Sequence, residues 1–298
     1  IYGSMGDQVL GLQAVLPNGE ILHTRAVQKS SAGINLNALL IGAEGCYGVI
    51  TEATVRIFPA PEARGLIGLR FDSFERGYTA IQAIFNQRLN PAVLDFGDDA
   101  EHFEDGAVLY LGFEGNRASV GIDEKRTLEI CERHGAHKLA DREAEIFWRD
   151  RHVIARRFAQ NRRARREQGK NGSYRDWIHV ALPASKVLQF RKASAKLVEE
   201  HGVQLLESGL WVQPELFSMR LGVDEDGSRN AHLSLQQAIE ALLRLAQKMG
   251  GSMEYTHGVG VKLASLMAAE HGYGLKVMRQ LKKTLDPNNI LNPGKMDL

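Results

Sequence analysis

After Pro61 the sequence repeats a strand–helix–strand pattern, and that repetition constrains the fold more than any other feature. LIGLRFDSF alternates as a strand, ERGYTAIQAIFNQRLN sets Tyr78, Ile81, Phe85 and Leu89 at helical spacing, and PAVLDFGD is extended again. A second unit follows in AVLYLGFEG, in RASVGIDEKRTLEICERHG with its closing Gly135, and in the short AHKLA. A third starts at WIHVALP, runs through a helix from Ala184 to Gly202 carrying Val187, Phe190, Leu197 and Val198, and ends in VQLLESGLWV and ELFSMRLGV. Units of this kind build an antiparallel sheet with helices on one face, an α+β architecture.

The 298 residues, 44% of them hydrophobic, are enough for two domains with separate cores. Only Cys46 and Cys131 carry thiols, which excludes a disulfide-stapled module and a cysteine zinc site, and points to a reducing, cytoplasmic compartment. No apolar run reaches the roughly 20 residues of a transmembrane helix, and the residues IYGSMGDQVLG lack the basic start and apolar stretch of a signal peptide. Thirty-seven basic against 36 acidic residues leave no global field for nucleic acid. The balance fails locally at residues 149–170, which hold nine Arg or Lys against two acids. A solvated helix and loop, a docking site for a carboxylate or phosphate, an acidic redox partner and anionic lipid all fit this segment. Peripheral membrane attachment therefore stays open.

The first residues run straight into a hairpin. Val9 to Leu16, a Pro17-Asn18-Gly19 turn, and a strand restarting at Ile21 read as mid-domain sequence, so the chain is expected to be a piece of something longer. Next comes a short helix, then Gly42, Gly45 and Gly48 spaced by threes around Glu44, then the strand VITEATVRIF, stopped by Pro59 and Pro61. Glycines so spaced either admit a planar or anionic ligand to the backbone or form a bulged turn.

The run from Gly42 to Ala53, GAEGCYGVITEA, resembles the G-[SA]-E-G-T-L-G-[VI]-[IV]-T-[EK]-A signature of FAD-linked oxidases of the vanillyl-alcohol oxidase type. Leu285 to Lys295, LDPNNILNPGK, is similar to the same family's C-terminal L-D-P-x-x-[IL]-x-N-P-G-K. This is the type 4 FAD-binding oxidoreductase/transferase family, with D-lactate dehydrogenase, glycolate oxidase and alkylglycerone-phosphate synthase branches. The resemblance implies that residues 1–62 are the second half of a PCMH-type FAD-binding domain, whose pyrophosphate loop would lie upstream. It implies a ferredoxin-like cap at 63–255, and a C-terminal loop and helix at 256–298 that return to the FAD domain. FAD is the implied cofactor, with Glu44, Gly45, Cys46, Tyr47, Gly48, Val49, Ile50 and Asn292 beside it and Lys295 close by. Cys46-Tyr47 stand where the family has Thr-Leu.

The base implied by the resemblance is His257, in GGSMEYTHGVG where the family has G-G-x-x-x-x-x-H-G-[IV]-G. Imidazole is the side chain suited to exchanging protons near neutral pH, and flanking glycine leaves it accessible. Tyr255 is a further catalytic candidate, able to donate a proton or to pack. Arg220, a guanidinium inside an apolar strand, must find an anion or reach solvent, and is a candidate for catalysis and for the substrate anion. Arg151, in a Trp148-Arg149…Arg151-His152 element similar to one in lactate-dehydrogenase relatives, is the second anion-binding candidate. The hydroxy-acid branch has a glutamate where Thr256 stands and an H-x-G-D-G-N-x-H segment where PELFSMRLG stands, so a metal-free site is expected.

Together these imply an FAD-dependent oxidoreductase taking a small anionic 2-hydroxy acid or related alcohol, with electrons leaving to oxygen, a quinone or a carrier protein. An alkylglycerone-phosphate-synthase-like transferase and a non-catalytic subunit are the rivals, and a homodimer is one permitted assembly. The Glu44 turn and the His257 loop are expected to flank a slot sized for an isoalloxazine. Cys46 and His257 are the residues at hand for covalent attachment.

Overall fold

The computed structural model describes residues 1–99, 106–153, 174–223 and 229–298. The chain divides into two compact units, Pro61–Met253 and a second made of Ile1–Ala60 with Glu254–Leu298. Most of the basic 149–170 segment lies outside the described residues.

In the Pro61–Met253 unit a seven-stranded sheet carries two related halves. The first runs β4 (Ala63–Phe71), α3 (Phe74–Asn86), β5 (Val93–Asp99), β6 (Ala107–Gly115), α4 (Arg117–Arg133) and β7 (His137–Lys138), with sheet order β7-β4-β6-β5. The second runs β8 (Tyr174–Ala181), α6 (Val187–Glu200), β9 (Gln204–Trp211), β10 (Leu216–Val223) and α7 (Arg229–Lys248), with order β9-β10-β8. Each half reads strand, helix, strand, strand, helix, and the order of the first is that of a ferredoxin-like sheet. The second half keeps that order too, because Ser252 bridges antiparallel to Ala181 on the far side of β8, as a fourth strand reduced to a single residue. The halves join through their corresponding second strands. β5 pairs antiparallel with β9, and Gly97 faces Gly209 at the centre of the register.

Local chemistry sets where these helices start and stop. Ser73 and Asn116 cap α3 and α4 by accepting the backbone N–H groups of Arg76 and Ser119. Gly135 and Gly202 follow α4 and α6 with φ of 81° and 63°, the left-handed turn that ends a helix. The core lies between the sheet and α3 and α6, where Phe74, Phe96, Phe190 and Phe217 form a chain of aromatic contacts with centroids 4.7 to 6.1 Å apart. On α3 the buried stripe is Phe74, Tyr78, Ile81 and Ile84, and the half-buried Phe85 is displaced from it by one position. At the β4 side of the other sheet face, α5 (Asp141–Asp150) stacks Phe147 on Tyr110 at 4.2 Å.

In the other unit, α1 (Met5–Gln8) leads into a hairpin of β1 (Val9–Val15) and β2 (Ile21–His23), and β1 also pairs with β3 (Val49–Val55), giving the order β2-β1-β3. α2 (Asn37–Leu40) is tied to β1 by the Asn37 amide, which donates to Leu10 O at 3.1 Å. The alternation in VITEATV does not sort inward and outward residues, since all seven residues of β3 are exposed. The single C-terminal helix expected within 256–298 is two helices. Gly272, at φ 51°, separates α8 (Met267–His271) from α9 (Tyr273–Leu285). On α9 the buried side chains are Leu275 and Lys282, and Leu281 is exposed.

Candidate active site

The turn around Glu44 and the loop around His257 come together inside one unit, and they touch. Glu44 takes a left-handed φ of 49°, uncommon for a residue with a side chain. Its Oε1 accepts from the Val259 and Gly260 amides at 2.5 and 3.1 Å, and its Oε2 accepts from Gly260 at 2.8 Å. Gly258 has φ 77°, and a β-carbon there would lie 2.6 Å from Glu44 Oε1, so only glycine fits. The turn and the loop are thus joined directly through the Glu44 carboxylate.

A second carboxylate works from the other side. Glu254 Oε1 accepts from Thr256 N at 2.6 Å and His257 N at 2.9 Å. His257 stays exposed and Tyr255 half-buried, so the chain fixes the backbone of this loop and leaves the imidazole at the surface. Glu254 carries no motif signal. It is detectable in sequence only as an acid three residues before a histidine in a glycine-bounded loop.

The C-terminal segment locks the same turn. Asn292, at φ 44°, donates its amide to Glu44 O at 2.6 Å. A β-carbon on Gly45 would meet that amide nitrogen at 2.7 Å. The Lys282 ammonium, buried, donates to Cys46 O at 3.1 Å, to Leu291 O at 2.6 Å and to the Asp286 carboxylate. Tyr47 Oη donates to Met278 O at 3.1 Å, and Lys295 Nζ lies 3.9 Å from Glu44 Oε2. Burial pushes the Asp286 carboxyl up, but Lys282 and the Leu291 and Ile290 amides outweigh it and hold the group at about 2. Asn292 and Lys295 therefore hold the turn through named contacts. Gly45 serves the approach of Asn292, and Gly48, buried against Val15 O and Leu40, serves chain packing. Cys46 and Tyr47 are buried as well, so of the residues first assigned to the cofactor it is Val49, Ile50 and Asn292 that remain exposed.

The two arginine candidates belong to the Pro61–Met253 unit, each with a partner of its own. Arg151 turns onto the Trp148 ring, 3.5 Å from its centroid, and donates to Trp148 O. Arg220 finds its anion in Glu207, with Nε 3.3 Å from Oε2, on the sheet face opposite the core helices. On that face His179 Nδ1 lies 2.7 Å from Ser218 Oγ, both groups buried, and the His179 ring sits beside Trp177 and Trp211 at 5.8 and 5.3 Å. The sequence marks none of these four as a group, because strand register alone aligns them. Asp95, paired across the sheet with Tyr110 and Trp211, is a further residue of this face, and burial pushes its carboxyl up to about 6.

Residues 60–296 match the profile described as FAD linked oxidases, C-terminal domain. The chain belongs to the FAD-linked oxidases. It is 28% identical over 311 residues to glycolate oxidase subunit GlcD of Bacillus subtilis, covering 99% of this chain and 64% of that protein. It is 27% identical over 322 residues to a D-lactate dehydrogenase of Archaeoglobus fulgidus, covering 99% and 66%. This FAD-linked oxidase chain thus spans just under two thirds of the length of those relatives. Among solved structures it is similar to a p-cresol methylhydroxylase with substrate bound, at TM-score 0.71 and 16% identity over 98% of this chain and 65% of that one. It is also similar to an alkyldihydroxyacetonephosphate synthase, at TM-score 0.69 and 18% identity over 98% and 54%. These structures establish the shared α+β fold.

FAD is the cofactor of this family. The residues of the unit made of Ile1–Ala60 and Glu254–Leu298 fit such a group at their exposed surface. β3 offers an unpaired strand edge with Val49 and Ile50 as apolar contacts, and Gly42 has nothing within 4 Å of where a β-carbon would stand. A groove of about 440 Å³ in the same unit is lined by Arg25, Lys29 and Arg56 with Asp7, an excess of cations that suits a diphosphate.

Proposed function

We propose that this chain forms the C-terminal part of an FAD-dependent oxidoreductase that oxidises a small 2-hydroxy acid or related alcohol. The observation that carries this reading is His257, exposed on a loop whose backbone is fixed by carboxylates on both sides. FAD, when bound, supplies the two-electron acceptor. His257 accepts the substrate hydroxyl proton at an imidazole nitrogen, and Tyr255 borders the same loop. Val49, Ile50 and Asn292 line the cofactor side, and Arg25, Lys29 and Arg56 meet its phosphates. The similarity to glycolate oxidase and D-lactate dehydrogenases favours a hydroxy acid, and reoxidation by oxygen, a quinone or a carrier protein completes the cycle.

The test is rapid-mixing reduction of the FAD-loaded protein by 2-hydroxy acids, with His257→Ala beside the parent. Flavin content is expected to stay constant while reduction slows by at least about a hundredfold. Unchanged reduction would remove His257 from the chemistry. The transferase reading, raised by the similarity to alkyldihydroxyacetonephosphate synthase, predicts instead that no hydroxy acid reduces the flavin.

A further inference from the structure

We infer that Glu254 and Glu44 are positioning residues for His257, a pair of carboxylate clamps that set where its imidazole points. This rests on the reading of His257 as the base. The loop from Glu254 to Gly260 has no helix or strand to fix it; its only regular features are the left-handed Gly258 and Gly260. Four of its amides, those of Thr256, His257, Val259 and Gly260, point at two carboxylates. Glu254 holds the pair ending at His257, and Glu44 holds the pair beginning two residues after it, so the histidine's own amide is anchored and the chain is held again just beyond it. Hydrogen bonds to a carboxylate are shorter and roughly twice as strong as neutral ones. Four of them replace the secondary structure that would otherwise fix a catalytic side chain.

The two clamps differ in reach. Glu254 is local, two and three residues before the amides it accepts from. Glu44 comes from the glycine turn more than 200 residues earlier in the chain, and Asn292 and Lys295 hold that turn in place. The Glu44 carboxylate thereby couples the geometry of the turn to the placement of the base. A misplacement of about 1 Å at a reacting group is enough to cost two orders of magnitude in rate, so a clamp of this kind acts on turnover rather than on substrate affinity.

Amide hydrogen exchange on the full protein reads the clamp directly. Glu254→Ala is expected to speed exchange at Thr256 and His257 by at least about tenfold, and Glu44→Ala to do the same at Val259 and Gly260. The amides of β1 should not change. Each alanine variant is expected to lower the flavin-reduction rate about tenfold or more with substrate affinity within twofold, and Glu254→Gln and Glu44→Gln, which keep one carbonyl acceptor, to recover part of both losses. Should an alanine variant not fold, its glutamine counterpart carries the test, with a smaller change of the same sign. Protected amides in both variants would overturn the clamp whatever His257 does. If His257→Ala slows reduction but the clamp variants run at the parent rate, the positioning role is wrong and the base assignment survives. If exchange accelerates while His257→Ala is silent, the base reading is what fails.

Discussion

Gly97 and Gly209 face each other across β5 and β9, where the two halves of the seven-stranded sheet meet. A β-carbon on Gly209 would lie 2.6 Å from Phe96 O, and one on Gly97 2.9 Å from Ser208 O. The same close approach occurs on both sides of the join, as the antiparallel pairing of two equivalent strands requires.

Gly209→Ala is accordingly expected to destabilise the protein by about 1–3 kcal/mol, because backbone rather than a flexible side chain must move. Gly121→Ala, inside α4 with nothing within 4 Å, is expected to stabilise it by about 0.5–1 kcal/mol through helix propensity. Urea midpoints of the two variants measure both. Equal effects would show that the join tolerates a side chain.

Asp286 makes folding sensitive to acid. Its carboxyl falls from 3.8 in the unfolded chain to about 2 in the native one, so the stabilisation is complete above about 4 and is lost as pH drops through about 2. Asp286→Asn should lower stability at neutral pH and flatten the pH dependence between those values. Denaturant melts from pH 2 to 5 would show it, and an unchanged slope in the variant would place the acid sensitivity elsewhere.

Asp95 works with the opposite sign. Burial raises its carboxyl from 3.8 to about 6, so the native state holds the proton more tightly, and stability declines as pH rises from about 4 through about 6. Asp95→Asn is expected to remove that decline. Melts over the interval should separate it from Asp286, whose contribution there is already constant.

Both thiols are expected to be inert in the native protein. Cys46 and Cys131 are fully buried, and burial pushes Cys131 up to about 12 and Cys46 above its usual value. A thiol reagent should label neither until denaturant is added, and then both. Native labelling of Cys46 would reopen it as an attachment point for the cofactor.

The units with α3, α4 and α6, the hairpin at Pro17-Asn18-Gly19 and the helix stop at Gly135 were legible in the sequence, because apolar period and turn chemistry act over a few residues. The family motifs at Gly42–Ala53 and Leu285–Lys295 were legible too, but not what their residues do. Glu44 reads as a ligand-facing residue and turns out to hold a loop. Cys46 and Tyr47, placed beside the cofactor by the resemblance, are buried, and Lys282, which no motif marks, is the centre of a buried network. Each of these depends on a partner distant in the chain, which no local pattern encodes.

The amino-acid order by itself determined the strands and helices of the repeated units, the hairpin at Pro17-Asn18-Gly19 and the helix stop at Gly135, since those choices are decided by each residue's own backbone preferences and its near neighbours. Tertiary structure alone decided that β5 and β9 join the two halves, that two glutamates grip the His257 loop, and that Arg220 pairs with Glu207. Those outcomes depend on which buried amides and charges find partners once water is excluded, and that is settled only when distant segments pack.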